Sequence, residues 1–154
     1  MGLDMYLYAD RFINEYFQES DKEKAAKIQE MFPELGDFDV KTIRVEVAYW
    51  RKANAIHKWF VDNVQEGNDN CGTYYVSREQ LQELLTLIEE VLKAQDQPKG
   101  EAIAKEKLPT TSGFFFGGTD IDAYYYDDLT YTVEKLKKAL SLSGSLDFYY
   151  HSSW

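Results

Sequence analysis

The segment that most constrains this chain is residues 46–61, which contains neither glycine nor proline. Its apolar residues recur three and four positions apart, and this spacing predicts a helix. One broad apolar face of that helix would also carry Lys52, while a narrower stripe would carry Glu46, Trp50 and His57. Burying an unpaired charge is costly. The predicted helix is therefore either enclosed by protein that pairs its polar groups, or it lines a pocket.

The composition is that of one acidic globular domain covering residues 1–154. There are 27 acidic and 17 basic residues, for a formal net charge of −10. Sequence-independent binding of nucleic acid and attraction to anionic membranes both rely on lysine and arginine, so the charge argues against either partner. The single cysteine, Cys71, leaves no intramolecular disulfide and favours a reducing compartment. With neither a signal peptide nor a long apolar run, we expect a cytoplasmic protein without a membrane partner.

Short patterns along the chain predict an α+β fold. The sequence Ser77-Arg78-Glu79-Gln80 matches a capping box and predicts a helix start. A cap at Ser20 or Asp21, and another at Thr119 or Asp120, would open two further helices. The predicted strands are 3–9, 73–76, 114–116 and 146–150, the predicted helices are 21–31, 46–61, 77–93 and 121–142, and residues 95–107 are expected to form a loop or a short helical excursion. We therefore expect a single domain in which a small, mostly antiparallel sheet of about four strands packs with about four helices.

The candidate ligand-binding residues centre on Lys52. A buried lysine needs an anion, supplied either by a protein carboxylate as a structural ion pair or by a ligand phosphate or carboxylate. In the second case Arg51 would also meet the anion, and Asn54 would hydrogen-bond to the ligand. Trp50 and a tyrosine such as Tyr125 would provide stacking surfaces, since 12 tyrosines give this chain an aromatic surplus.

His57 allows two interpretations. With Glu46 it could perform general acid–base catalysis if both side chains share a cleft, or it could bind a ligand. Alternatively, it is a structural histidine whose ring is held by a carboxylate.

No cofactor or metal site is predicted from sequence motifs. Only two histidines and one cysteine are present, and none has zinc-ligand spacing. Asp120 and Asp122 follow a glycine pair and could hold Mg²⁺, but capping of the next helix is the stronger explanation for them. The chain lacks a Walker loop, a dinucleotide-binding glycine pattern and a nucleophile elbow.

Several segments together resemble a family of small proteins encoded by phages and prophages. They are the opening residues 1–7 (MGLDMYL), the block 46–60, Cys71-Gly72 before a tyrosine-rich strand, residues 113–117, and residues 122–132. The resemblance covers nearly the whole chain and is most specific in residues 49–57. It implies phage origin and a host cytoplasm, but the family has no settled biochemical role and no catalytic residues to transfer.

Three functions remain open. The first is a binding protein for a small anionic, nucleotide-type ligand that sequesters a host immune signal. The second is an enzyme that degrades such a signal, with Glu46 and His57 as acid and base. The third is an acidic interaction module that inhibits a host defence protein. The exposed aromatic residues expected here also favour a homo-oligomer.

Overall fold

The computed structural model describes residues 2–154, which form one four-stranded sheet packed with five α-helices. The strand order is β2-β1-β4-β3, and every neighbouring pair is antiparallel. The α+β class with a small antiparallel sheet is thus as predicted. The elements are β1 (Asp4–Phe12), α1 (Glu19–Met31), a 3₁₀ turn (Pro33–Leu35), β2 (Thr42–Arg51), α2 (Asn54–Asn63), β3 (Thr73–Val76), α3 (Arg78–Lys93), α4 (Gly100–Lys107), α5 (Ala123–Leu140) and β4 (Asp147–Ser153).

The first strand is central, and its two-residue alternation decides which sheet face is buried. Leu3, Met5 and Leu7 are fully buried, whereas the intervening Tyr6 and Tyr8 are only partly covered. β1 pairs with β2 on one side and with β4 on the other. This strand prediction is confirmed, because the alternation in the sequence matches the pleat of a sheet with one face against the core.

The prediction of one helix over residues 46–61 is wrong in its first half. Strand β2 continues to Arg51, and α2 begins only at Asn54. The ladder with β1 places Trp50 opposite Met5 and buries it in the core. β-branched and aromatic residues fill β2, and such residues fit a pleated surface better than a helix.

The segment 114–116 was predicted as a buried strand and is instead a loop. Phe116 is buried, but Phe114 and Phe115 are exposed. Phe115 has a φ of 62°, a left-handed conformation that a strand does not contain. The fourth strand of the sheet is β2, whose residues 46–51 lie within the predicted helix.

The helix starts were predicted with mixed success. The Ser77 capping box is present, with both reciprocal hydrogen bonds to Gln80. The cap of α5 is Asp122 rather than Thr119 or Asp120. The predicted cap at Ser20 or Asp21 is wrong as well, since α1 already begins at Glu19 and has no side-chain cap.

The buried Asp21 has a different role from capping. It pairs with Arg11 at 2.9 Å and accepts the Asn14 backbone N–H at 3.0 Å, and these partners lower its pKa. It therefore fastens α1 to the end of β1.

The core lies between one face of the sheet and the helices α2, α3 and α5. Its largest fully buried side chains include Phe60 and Ile56 from α2, Leu84 from α3, and Tyr150 and Phe148 from β4. Phe60 and Tyr150 stack with ring centroids 4.0 Å apart and thereby join α2 to the sheet. Among residues 2–154, no helix combines the length and the apolar character needed to cross a membrane.

Candidate functional site

A cavity of about 310 Å³ opens where the end of β2 meets the N-termini of α2 and α5. Its third wall is the loop between α4 and α5, which contributes Thr110, Gly117, Gly118 and Asp120. Small-molecule sites usually measure about 300–1,000 Å³, so this cavity is at the lower end of that range. Four of the predicted ligand-binding residues line it: Arg51, Lys52, Asn54 and Tyr125.

The basic side of the cavity is the two-residue junction between β2 and α2. Lys52 has a φ of 60°, and its N–H donates to the Leu3 carbonyl at 2.7 Å. Its side chain is exposed and forms no ion pair with any carboxylate of residues 2–154. Its neighbour Arg51 makes only a long contact with Asp4, at 3.4 Å. Lys52 is therefore available to a ligand, and Arg51 can reach one by sharing or leaving its contact with Asp4.

The N-terminus of α2 faces the same cavity and has no side-chain cap. Its first turn contains no acidic residue, and Ala55 and Ile56 line the cavity wall. The unpaired N–H groups and the positive end of the dipole make an uncapped helix N-terminus attractive to anions. Lys52 immediately precedes this terminus, so the two favourable features coincide.

Asn54 organises the cavity wall rather than offering free polar atoms. Its Nδ2 donates to the carbonyls of Phe116 and Gly118 at 3.0 and 2.8 Å. Its Oδ1 accepts the backbone N–H of Thr111 at 3.1 Å. These three bonds hold the α4–α5 loop against α2. Because both polar atoms of the Asn54 side chain already have hydrogen-bond partners, neither is free for a ligand.

The first turns of α5 supply an aromatic wall. Tyr124 is 80% exposed, and its ring is free to contact a ligand. Tyr125 is buried, and its hydroxyl donates to the Leu108 carbonyl at 2.8 Å. Burial raises the pKa of Tyr125 well above its usual value, so this hydroxyl stays protonated. Tyr125 therefore shapes the cavity, and Tyr124 offers the accessible ring.

Asp128 lies one turn further along α5. It is an acidic residue of the cavity that was not among the predicted site residues. It is partly buried in the cavity wall, and its carboxylate has no hydrogen bond or ion pair with any residue of 2–154. Burial, followed by repulsion from Asp127 and Asp122, raises its pKa from 3.8 to about 6. Its spacing of four from Tyr124 places it on the same helix face, a signal that could have identified it.

Three predicted site residues lie outside this cavity. Trp50 is in the core, where its Nε1 donates to Thr132 Oγ1 at 2.8 Å. Glu46 is exposed on the edge strand β2, opposite Tyr8. His57 is buried in α2 and does not line the cavity. The proposed acid–base pair of Glu46 and His57 therefore does not share this cleft.

Both ring nitrogens of His57 already have protein partners. Nδ1 lies 2.6 Å from the Tyr150 hydroxyl, and Nε2 lies 3.0 Å from Asp69 Oδ2. Burial holds the pKa of Tyr150 far above its usual value, so its hydroxyl keeps a proton that it can donate to Nδ1; in that tautomer Nε2–H donates to Asp69. Asp69 also accepts the Trp154 Nε1–H at 3.0 Å. This arrangement is that of a structural histidine.

Acidic residues also border the cavity, but they do not converge on a metal position. Asp120 and Asp122 are exposed, and Asp122 accepts the Tyr125 backbone N–H at 3.0 Å as the cap of α5. Within residues 2–154, no group of three His, Cys, Asp or Glu side chains is arranged to hold a metal ion. The cavity lining thus combines two cations and an uncapped helix N-terminus from the β2–α2 junction with carboxylates from the α4–α5 loop and α5.

No protein-family model, curated protein or solved structure matches this chain. The arguments for its function therefore come from the cavity.

Proposed function

We propose that this chain binds a small anionic ligand of the nucleotide type in the cavity between α2 and α5. The observation that carries the proposal is the position of Lys52, a cation without a carboxylate partner among residues 2–154, beside the uncapped N-terminus of α2. Backbone N–H groups at a helix N-terminus and a lysine ammonium are the groups that bind phosphate. The phosphate lies against Lys52, Arg51 and the first turn of α2.

The conformation of Lys52 supports the same assignment. A residue other than glycine with a φ of 60° costs about 1–2 kcal/mol. Such strain clusters at ligand-binding positions, because the surrounding structure must hold the residue there. Here the Leu3 carbonyl fixes the Lys52 N–H, and Gly117 packs against the lysine stem.

The size of the cavity and the exposed ring of Tyr124 fit a mononucleotide-sized ligand, with the ring stacking on a base. With the resemblance to phage proteins, the biological role we propose is sequestration of a nucleotide signal in the host cytoplasm. Binding without turnover needs neither a metal nor an activated nucleophile.

Isothermal titration calorimetry with a panel of nucleoside monophosphates tests this proposal. We expect at least one nucleotide to bind, and we expect Lys52→Ala to weaken its binding about 10- to 100-fold, the equivalent of about 1.5–3 kcal/mol for a lost hydrogen bond to a charged group. Lys93→Ala is the matched control, since Lys93 is also exposed and forms no ion pair within residues 2–154. Failure of every nucleotide to bind, or equal affinity of both variants and the parent, contradicts the proposal.

A second candidate function is an interaction module. It is favoured by the apolar side chains that are exposed on residues 13–41, the segment that connects β1 to β2 along the chain. Phe17 and Phe38 are 86% and 83% exposed, and Tyr16 and Met31 are also largely uncovered. Exposed apolar patches mark interaction sites. A pull-down from host lysate separates the two candidates: capture of a partner that is lost in Phe17→Ser/Phe38→Ser but retained in Lys52→Ala would support the interaction module.

The third candidate, an enzyme using Glu46 and His57, has less support because both ring nitrogens of His57 are engaged in the core. Chromatography of an incubated nucleotide tests it. Product formation that disappears in His57→Ala would favour the enzyme over the binding protein.

A further inference from the structure

The cavity lining carries both charges, contributed by different elements of the fold, and this combination constrains the ligand beyond its phosphate. Arg51, Lys52 and the α2 N-terminus form the positive part. Helix α5 contributes Asp128, whose carboxylate has no partner among residues 2–154. A simple anion would satisfy the positive part and would be repelled by Asp128. The matching ligand therefore presents hydrogen-bond donors in addition to its anionic group.

Asp128 is suited to accept hydrogen bonds from such donors. A carboxylate is an acceptor only and can take two parallel N–H bonds on its two oxygens. A partly buried carboxylate without a donor also pays a desolvation cost, which a ligand donor would relieve. Asp120 and Asp122 differ from it, since both are exposed and Asp122 is engaged as a helix cap.

The aromatic wall indicates that the donor group is planar. Tyr124 lies four residues before Asp128 on α5, and both line the cavity. Residues at this spacing are neighbours on one helix face. A flat ring that stacks on Tyr124 would therefore direct its edge toward the carboxylate of Asp128.

We propose that Asp128 recognises the adjacent N–H donors of a guanine-type base, while the phosphate of the same nucleotide lies at the α2 N-terminus. This inference rests on the proposed function. Guanine carries two neighbouring donors on its Watson–Crick edge, the ring N1–H and the exocyclic N2 amine. Hypoxanthine retains only the N1–H donor. Adenine presents a lone pair at N1, which a carboxylate repels.

Titration calorimetry with GMP, IMP and AMP at pH 7.5 tests the inference, because the three share the same phosphate. We expect the affinity order GMP, then IMP, then AMP, with GMP at least about 10-fold tighter than AMP, since a good bidentate contact discriminates by about 1–3 kcal/mol. Asp128→Asn should remove most of this preference, because its amide nitrogen would face a guanine donor. Asp127→Asn, at an exposed neighbouring position of α5 that does not line the cavity, is the matched control and should keep the preference.

The outcomes separate this inference from the function on which it rests. If all three nucleotides bind with equal affinity, or if Asp128→Asn keeps the GMP preference, the role of Asp128 is overturned and the anion site stands. If none binds, both are overturned. If Asp128→Asn does not fold, the affinity order of the parent protein and of Asp128→Ala decides the question: a parent order other than the one expected overturns the inference.

Discussion

Lys52 and Asp128 line one cavity, yet they do not form an ion pair with each other or with any other charged residue of 2–154. Opposite charges that share a cavity usually neutralise one another when they are within reach. Here the cation sits at the β2–α2 junction and the carboxylate on α5. Both charges therefore remain open to a ligand that carries complementary groups of each kind.

Gly117→Ala is expected to destabilise the cavity wall. Gly117 has a φ of +87°, and an added Cβ would lie 3.1 Å from the Cβ of Lys52. Both effects oppose the substitution, so we expect a loss of about 1–3 kcal/mol in the free energy of unfolding, together with weaker nucleotide binding. Gly118→Ala is the matched control, because nothing lies within 4 Å of its added Cβ. Urea denaturation of both variants measures the difference, and equal midpoints would contradict the prediction.

Asn54→Ala should detach the α4–α5 loop from α2. The substitution removes two donated bonds to backbone carbonyls and one bond accepted from the Thr111 N–H. Since these groups are largely buried, we expect a loss of about 2–4 kcal/mol in unfolding free energy. Asn63→Ala, at the exposed end of the same helix, removes one bond to the Trp59 carbonyl and should cost under about 1 kcal/mol. A smaller loss for Asn54→Ala than for Asn63→Ala would show that the loop is held by other contacts.

The raised pKa of Asp128 predicts a pH dependence of stability with a definite sign. The pKa of about 6 in the folded protein lies above the ordinary value of 3.8, so protonation of Asp128 favours the folded state. The stabilisation of the folded protein by protonated Asp128 is fully present below about pH 4 and is lost as the pH rises through 6. Asp128→Asn removes this loss, so the variant should be more stable than the parent by about 1–3 kcal/mol at pH 7.5 and show no gain at pH 4. Denaturation at both pH values tests this, and a variant that is less stable at pH 7.5 contradicts it.

Tyr150→Phe tests whether the His57 chain of hydrogen bonds is structural. Loss of the hydroxyl leaves buried Nδ1 of His57 without its 2.6 Å partner, which should cost about 1–3 kcal/mol of unfolding free energy. Nucleotide affinity should not change, since neither residue lines the cavity. Tyr149→Phe, at a partly exposed neighbouring position, should change stability by less than about 0.5 kcal/mol. A loss of nucleotide binding in Tyr150→Phe would instead connect His57 to function.

Local sequence patterns were sufficient to predict those elements whose formation depends on a few neighbouring residues. The alternation of residues 3–9 predicted β1, and the Ser77 capping box predicted the start of α3, because both signals act within a few residues. The helix predicted over 46–61 failed at its beginning, since pairing of β2 with β1 is a tertiary contact. The strand gives way to the helix at Lys52, which has a left-handed backbone conformation. A lysine in the sequence does not predict that conformation.

In the candidate site, too, some residues could be predicted from local sequence, whereas others depend on tertiary packing. Arg51, Lys52, Asn54 and Tyr125 could be selected from the sequence, and all four line the cavity. The selection of Arg51, Lys52 and Asn54 assumed one continuous helix, whereas the strand–turn–helix junction and α5 bring them together with Tyr125. Asp128 was missed because its partial burial in the cavity wall depends on how α5 packs.

The most direct test of the anion site is a ¹H–¹⁵N NMR titration of the protein with GMP. We expect the largest saturable shift changes at the backbone amides of Lys52, Ala55 and Ile56, which surround the start of α2, and weaker binding in Lys52→Ala. Shift changes confined to residues 12–45, or none at millimolar nucleotide, would contradict this expectation.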